Sequence, residues 1–304
     1  MLRYRLITGP ILIALILGVV WLDTAMEHVT LTGVWRSLAD AIGYHGTTAP
    51  RGTILFLVAL AIVPLMARET TRMFERVGID ASRTLAMVAS PIVFVGAAAA
   101  PFLASPLRAT GLLASLLVFL LVAGLLRFSR GQNVKGVMAA TGGLLLVAVY
   151  SGVLLVFWML IRHDHSAWVL VGAILTTKSC DIGAYFAGVT LGKHKMIPWL
   201  SPGKTWEGLV GGIVTAALVG GLLALASENL PNPEDHIRWP IGVIGGVLVA
   251  LVGQFGDLVE SLFKRDAGLK DSGTLLPGMG GILDVLDSPL MTGPIVYWLL
   301  VATS

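Results

Sequence analysis

Residues 137–160 read VMAATGGLLLVAVYSGVLLVFWML, 24 consecutive positions without one charged side chain. A soluble helix of that length would carry a polar face, whereas a hydrocarbon core about 30 Å thick is crossed by about 20 apolar residues. The stretch reads as a spanning helix, and segments of the same kind run about 6–22, 53–67, 84–105, 109–126, 167–190, 209–227, 241–256 and 289–303, nine in all. Over the whole chain of 304 residues, 56% are hydrophobic and 13% charged, with a mean hydropathy of +0.84. A soluble protein carries about 25% charged residues, so an ordinary water-soluble domain is excluded. The expected fold is all-α, a polytopic membrane protein treated as one membrane domain over 1–304. Its spans up to residue 160 are less specific, and the motifs lie in 167–304.

Charge placement gives an orientation. Arg3 and Arg5 precede the first apolar run, no small-residue cleavage pattern follows it, and so it reads as an uncleaved helix. With the N-terminus cytoplasmic, 15 of the 21 Lys and Arg residues fall in inside loops and five (Arg36, Arg51, Arg108, Arg162 and Arg238) fall outside. Every inside loop between spans is richer than its outside neighbours, and the N-terminal segment equals its one neighbour at two, in line with the positive-inside rule. The remaining cation, Lys178, lies within a span. One cysteine, Cys180, removes any intramolecular disulfide or Cys-rich zinc site. His163, His165 and His194 have no metal-ligand context and are expected to be solvated.

The acidic residues are not spread evenly. Asp257, Glu260, Asp266, Asp271, Asp284 and Asp287 place six of the 18 within 31 positions. If 257–265 is helical, Asp257, Ser261 and Lys264 share a face, and Glu260 pairs with Lys264 at i, i+4. Asp284 and Asp287 converge at i, i+3. Ser288-Pro289 supplies a cap followed by Pro at the first helical position, which predicts that the last span starts there. Hard oxygen ligands without Cys or paired His suit magnesium, and Lys264, Arg265 and Lys270 could meet phosphates. The bland alternative is a solvated loop whose charges pair with one another.

Two further polar stretches precede it. Lys178 and Asp181 form an i, i+3 pair inside the sixth span, where ionisable groups are costly. The following loop, 192–208, concentrates Lys193, Lys195, Ser201, Lys204, Thr205 and Glu207 beside Trp199 and Trp206, which suits lipid headgroups or nucleotide phosphates at a membrane interface. Its Gly-Lys-Thr lacks the upstream glycine spacing of a phosphate-binding P-loop. Nothing here points to nucleic acid, and the Gly-rich spans leave a homodimer open.

Seven blocks now stand in one order: 181–186, Gly192-Lys-His-Lys, Ser201-Pro-Gly-Lys-Thr-Trp-Glu-Gly208, 256–265, Lys270-Asp-Ser-Gly273, Pro277-Gly-Met-Gly-Gly281 and Asp284-Val-Leu-Asp-Ser288. Together they resemble the phosphatidate cytidylyltransferases, or CDP-diacylglycerol synthases. The resemblance implies a multi-pass enzyme of the cytoplasmic membrane that joins CTP to phosphatidate with magnesium, giving CDP-diacylglycerol and pyrophosphate. It implies that Asp257, Asp284 and Asp287 organise metal and triphosphate and that Lys264 joins them as catalytic. Asp181, Lys193, Lys195, Ser201, Lys204, Thr205 and Glu207 then serve substrate binding, with Glu260, Ser261, Arg265, Lys270, Asp271 and Ser272. The family usually has His where this chain has Met279, Arg where it has Val285, a basic residue near Val189, and an apolar residue at Lys178. Lys178 is expected to restore part of the lost positive charge near Asp181. Transfer to another lipid phosphate, or silent binding of one, are the rival readings; a transporter fits less well, since only Lys178 and Asp181 lie at midspan.

Overall fold

Backbone N–H and C=O groups find no water inside a bilayer, so a chain this apolar must satisfy them within helices. The computed structural model, which describes residues 2–41, 44–103, 105–131 and 134–303, is built accordingly. Its helices are α1 (Leu2–Met26), α2 (Val34–Ala41), α3 (Thr53–Arg76), α4 (Arg83–Ala98), α5 (Pro106–Phe128), α6 (Val137–Ala148) and α7 (Leu154–Asp164). There follow α8 (Ala167–Leu191), a hairpin of β1 (Lys195–Ile197) and β2 (Ser201–Thr205), α9 (Trp206–Ser227), α10 (Trp239–Asp266) and α11 (Leu283–Thr303). A π turn over Val149–Val153 joins α6 to α7, so the stretch quoted above lies in one 28-residue span, Val137–Asp164.

Eight helical stretches among the described residues are long and apolar enough to cross a membrane. The ninth expected segment, 84–105, supplies α4, whose 16 residues cover only about 24 Å. Beyond it the chain turns through a short 3₁₀ helix at Ala100–Phe102, with Pro101 in that turn, and position 104 lies outside the described residues. Pro91 is accommodated within α4.

The chain forms two compact units, Met1–His163 with Asp266–Asp284, and Asp164–Arg265 with Val285–Ser304. In the first, Ala67, Ala86, Val93, Leu144, Val147 and Ala148 make a small-residue core between α3, α4 and α6. Charge is buried there too. Arg162 of α7 is fully buried; its Nε donates to Asp23 Oδ2 of α1 at 2.8 Å and its Nη2 to Glu27. Asp23 Oδ1 accepts from the Ile54 and Leu55 amides at 2.9 and 3.3 Å, which satisfies the first turn of α3. Gly52, at φ +83°, precedes α3, and a Cβ there would lie 3.1 Å from Arg162 Cγ. One arginine thus ties three helices together.

In the second unit α8 and α9 lie against each other on small residues: a Cβ on Gly212 would sit 2.9 Å from Cys180 Sγ and 3.0 Å from its carbonyl oxygen. Without a hydrophobic drive between helices in lipid, such close backbone approach supplies the packing. Two sequence expectations are corrected. His165 is buried, with Nδ1 3.0 Å from the Glu234 carbonyl oxygen, because the 229–240 connection folds over it instead of leaving it in water. The last helix starts at Leu283 rather than at Ser288-Pro289, since carboxylates described below cap its earlier amides; Pro289 lies inside it.

Removing one partner of a buried ion pair strands the other charge, at a cost of about 3–5 kcal/mol. Arg162→Met is therefore expected to lower the thermal unfolding temperature of the detergent-purified protein markedly, whereas Arg238→Met, at an exposed position, leaves it within a degree or so.

Candidate active site

The hairpin after α8 is placed by a threonine. Thr205 is buried, its Oγ1 accepts from the Gly208 amide at 3.1 Å, and this caps α9. Added Cβ atoms at Gly188, Gly192 and Gly208 would lie 3.3, 2.9 and 3.0 Å from that oxygen, so three glycines make its niche. Lys195 pairs with Thr205 and Ile197 with Ser201 across the hairpin. Glu207 in the first turn of α9 accepts from the His194 amide at 3.2 Å and lies 2.6 Å from His194 Nδ1. Lys193 and Lys195 are exposed, Ser201 is half-buried, and Lys204 turns inward.

Lys204 Nζ lies 2.8 Å from Asp257 Oδ2 and donates to the Gln254 carbonyl at 3.1 Å, which holds the hairpin on α10. The polar stretch 257–266 continues the helix that spans, so Asp257, Glu260, Ser261 and Lys264 project at helical spacing. Lys264 Nζ donates to Glu260 Oε2 at 2.6 Å and Ser261 Oγ to Asp257 Oδ1 at 3.4 Å, the pairings expected from i, i+4. A Cβ on Gly256 would sit 2.7 Å from the Asp287 carbonyl oxygen, so α11 approaches α10 closely there. One oxygen each from Asp257, Glu260 and Asp287 then lie within 4.8 Å of one another, Glu260 fully buried and Asp287 8% exposed. On α8, Lys178 Nζ lies 3.3 Å from Asp181 Oδ2. Asp181 feels the charges of Asp257 and Lys204, and Asp287 those of Lys178 and Asp181. Arg265 Nε reaches the Leu200 carbonyl at 3.4 Å.

Asp284 belongs to the other unit. Its Oδ2 accepts from the Ser272 amide at 2.8 Å, the Ser272 hydroxyl at 2.7 Å and the Gly281 amide at 2.7 Å. Glu69 of α3 completes this knot: it accepts from the Ile282 and Leu283 amides at 3.1 and 3.0 Å and from Ser272 Oγ at 3.1 Å. Gly278 and Gly280 take positive φ, +79° and +96°, and a Cβ on Gly281 would lie 2.6 Å from Glu69 Cδ. Lys270 and Asp271 are exposed on the same loop.

Carboxylates grouped with lysines behind a basic hairpin are a setting for phosphate chemistry, and comparison with known proteins gives it a family. The model of the cytidylyltransferase family matches residues 41–303. The chain belongs to the cytidylyltransferase family. A phosphatidate cytidylyltransferase of Bacillus subtilis (strain 168) is 40% identical over 161 residues, 52% of this chain and 58% of that one. One from Haemophilus influenzae is 39% identical over 145 residues, 47% of this chain and 50% of the relative. An uncharacterized protein of Escherichia coli K12, YnbB, is 36% identical over 197 residues, 60% and 62% of the two chains. The matched stretch thus spans about half to three-fifths of the length of these relatives.

For this cytidylyltransferase-family chain the motif blocks separate into two roles. Those of α8, the hairpin, α10 and Asp287 make the carboxylate and lysine cluster; Asp284 and Ser272 lie with Glu69. Sequence reading missed Glu69, because a single Glu at the end of an apolar span, 203 positions from Ser272, carries no local signal. Loss of its acceptors leaves the Ile282 and Leu283 amides without this cap. Glu69→Ala is expected to open the 268–281 loop, seen as severalfold faster cleavage there in limited proteolysis, with Glu69→Gln intermediate.

Proposed function

We propose that the protein transfers the cytidylyl group of CTP to phosphatidate at the cytoplasmic face of the inner membrane, yielding CDP-diacylglycerol and pyrophosphate. The observation that carries this reading is the convergence of Asp257, Glu260 and Asp287, with Lys204 and Lys264 paired to two of them. Three carboxylate oxygens are a hard donor set that fits magnesium, which usually takes one or two carboxylates and completes its shell with water and substrate phosphate. When bound, magnesium would neutralise triphosphate charge and favour departure of pyrophosphate.

The residues supply binding and orientation. Asp257, Glu260 and Asp287 would hold the ion; Lys204 and Lys264, now turned to Asp257 and Glu260, would exchange those partners for the anionic substrate. Lys193, Lys195 and Arg265, with Ser201 and Ser261, are assigned to the triphosphate and nucleoside. Thr205 and Glu207 fix the hairpin, and Asp284 and Ser272 hold the glycine-rich loop. An oxygen of the lipid phosphate attacks the α-phosphorus in line, the bond to the β-phosphate breaks, and pyrophosphate leaves with the electron pair. A phosphate monoester has its second pKa near 6, so the nucleophile is already anionic near neutral pH and no strong general base is required. A cytoplasmic N-terminus would put the Lys193 to Thr205 hairpin on the side that supplies CTP.

Purified protein given labelled CTP, magnesium and a panel of lipid phosphates should label phosphatidate, with chelation abolishing transfer. Asp257→Asn and Asp287→Asn are each expected to lower kcat by about 100-fold or more, the scale of losing a charge-organising group. Labelling of a different lipid phosphate in preference would change the acceptor, and no label in any lipid from folded protein would overturn the reading.

A further inference from the structure

Lys178 takes no part in the proposed transfer, yet it lies about 20 Å along α8 from the helix end at Leu191, a depth at which an ionisable side chain is costly. Its partner is Asp181, at 3.3 Å on the same helix. A pair three residues apart on one helix fastens that helix to nothing, unlike Arg162, which joins α1, α3 and α7. Both side chains also remain more than a third exposed, so the pair contributes little to stability. What the lysine does is set by the helices that α8 meets.

Helices α8, α10 and α11 meet at Gly253. A Cβ added there would lie 3.4 Å from Thr292 Cγ2, 3.6 Å from Ser288 Cβ and 3.8 Å from Thr177 Cγ2, and the hydroxyls of Thr177 and Thr292 are 3.4 Å apart. Thr177 precedes Lys178, and Ser288 follows Asp287. Asp181 stands one turn beyond Thr177 on α8, and Asp257 one turn beyond Gly253 on α10, so both lie on the faces that converge. Asp181 is thereby a fourth carboxylate beside Asp257, Glu260 and Asp287, and the fields agree: Asp181 feels Asp257, and Asp287 feels Lys178.

The charges of this group do not balance. Asp257 is paired with Lys204 and Glu260 with Lys264. Asp287 has no cation at ion-pair distance among the described residues; its Oδ1 accepts the Ser288 amide at 2.6 Å. Ionised, as binding of a metal requires, four carboxylates face the ammonium groups of Lys178, Lys204 and Lys264 and leave one net negative charge. With Lys178 neutral there would be two. A divalent ion added to one net charge leaves a positive excess in a partly buried site, whereas added to two it leaves none.

We propose that Lys178 is a fixed counter-charge of the carboxylate cluster: it weakens the hold on a free divalent cation, so that the site retains an ion only together with an anionic ligand. The inference rests on the reading of Asp257, Glu260 and Asp287 as holders of magnesium.

The probe is manganese(II) alone, an ion that takes the same oxygen ligands as magnesium. It is titrated into the full chain in detergent, and the free ion is counted by electron paramagnetic resonance. Lys178→Met and Lys178→Gln should each bind it about tenfold or more tighter than the wild type, the scale of one unit charge acting on a divalent ion across a partly exposed site. Lys178→Arg should match the wild type. Lys178→Met combined with Asp181→Asn restores the wild-type net charge and should return close to the wild-type affinity. A damaged fold loses affinity, so the expected gain cannot come from misfolding. Weaker binding by both neutral variants would overturn the proposal. So would a double variant as tight as Lys178→Met, which would make the lysine a steric block instead of a charge. Equal binding by wild type and neutral variants would remove this inference and leave the magnesium reading. Manganese held by none of them would overturn both.

Discussion

A charge withdrawn from water must be answered by another charge or by aligned dipoles, and the described part of this chain answers its buried charges in two ways. Arg162 is enclosed by Asp23 and Glu27, and Asp23 is in turn spent on the amides that open α3. That arrangement is closed, and it fixes helices. Lys204 with Asp257 and Lys264 with Glu260 are paired as closely, at 2.8 and 2.6 Å, but at the edge of a span and partly open. On the proposed reading their partners are exchanged: a substrate anion and a cation would replace each side of the pair without leaving a naked charge.

The parts of the structure written in local pattern were legible in the sequence. Spans follow from uncharged runs such as 137–160, and the pairs Lys178 with Asp181 and Glu260 with Lys264 follow from helical spacing. What escaped depends on contacts between distant segments. Arg162 reads as one outside charge among five until Asp23, 139 positions away, is found against it. Glu69 reads as the polar end of a span, and His165 as a loop histidine, until the segments that cover them are placed.

The start of α11 shows how a sound local rule can lose. Ser288-Pro289 has the form of a helix opening, and proline's missing N–H costs nothing in a first turn. Glu69 nevertheless satisfies the amides of Ile282 and Leu283, so the helix begins earlier and Pro289 is absorbed within it. That earlier start is what puts Asp287 on a helical turn beside Gly256 rather than in the preceding loop. The legibility of the candidate site is accordingly mixed: the pairings of Asp257, Glu260 and Lys264 follow from one helix, whereas the hydrogen bonds of Asp284 to Ser272 and Gly281 do not.

The niche around Thr205 has an evolutionary consequence. One hydroxyl is hemmed by three backbones whose glycines are spread from position 188 to 208, so any gain of volume at Gly188, Gly192 or Gly208 displaces both the cap of α9 and the strand that bears Lys204. In related chains these four positions should covary as a set, small with small. A lineage that enlarges one of them must move the hairpin as a whole, and with it the lysine that meets Asp257.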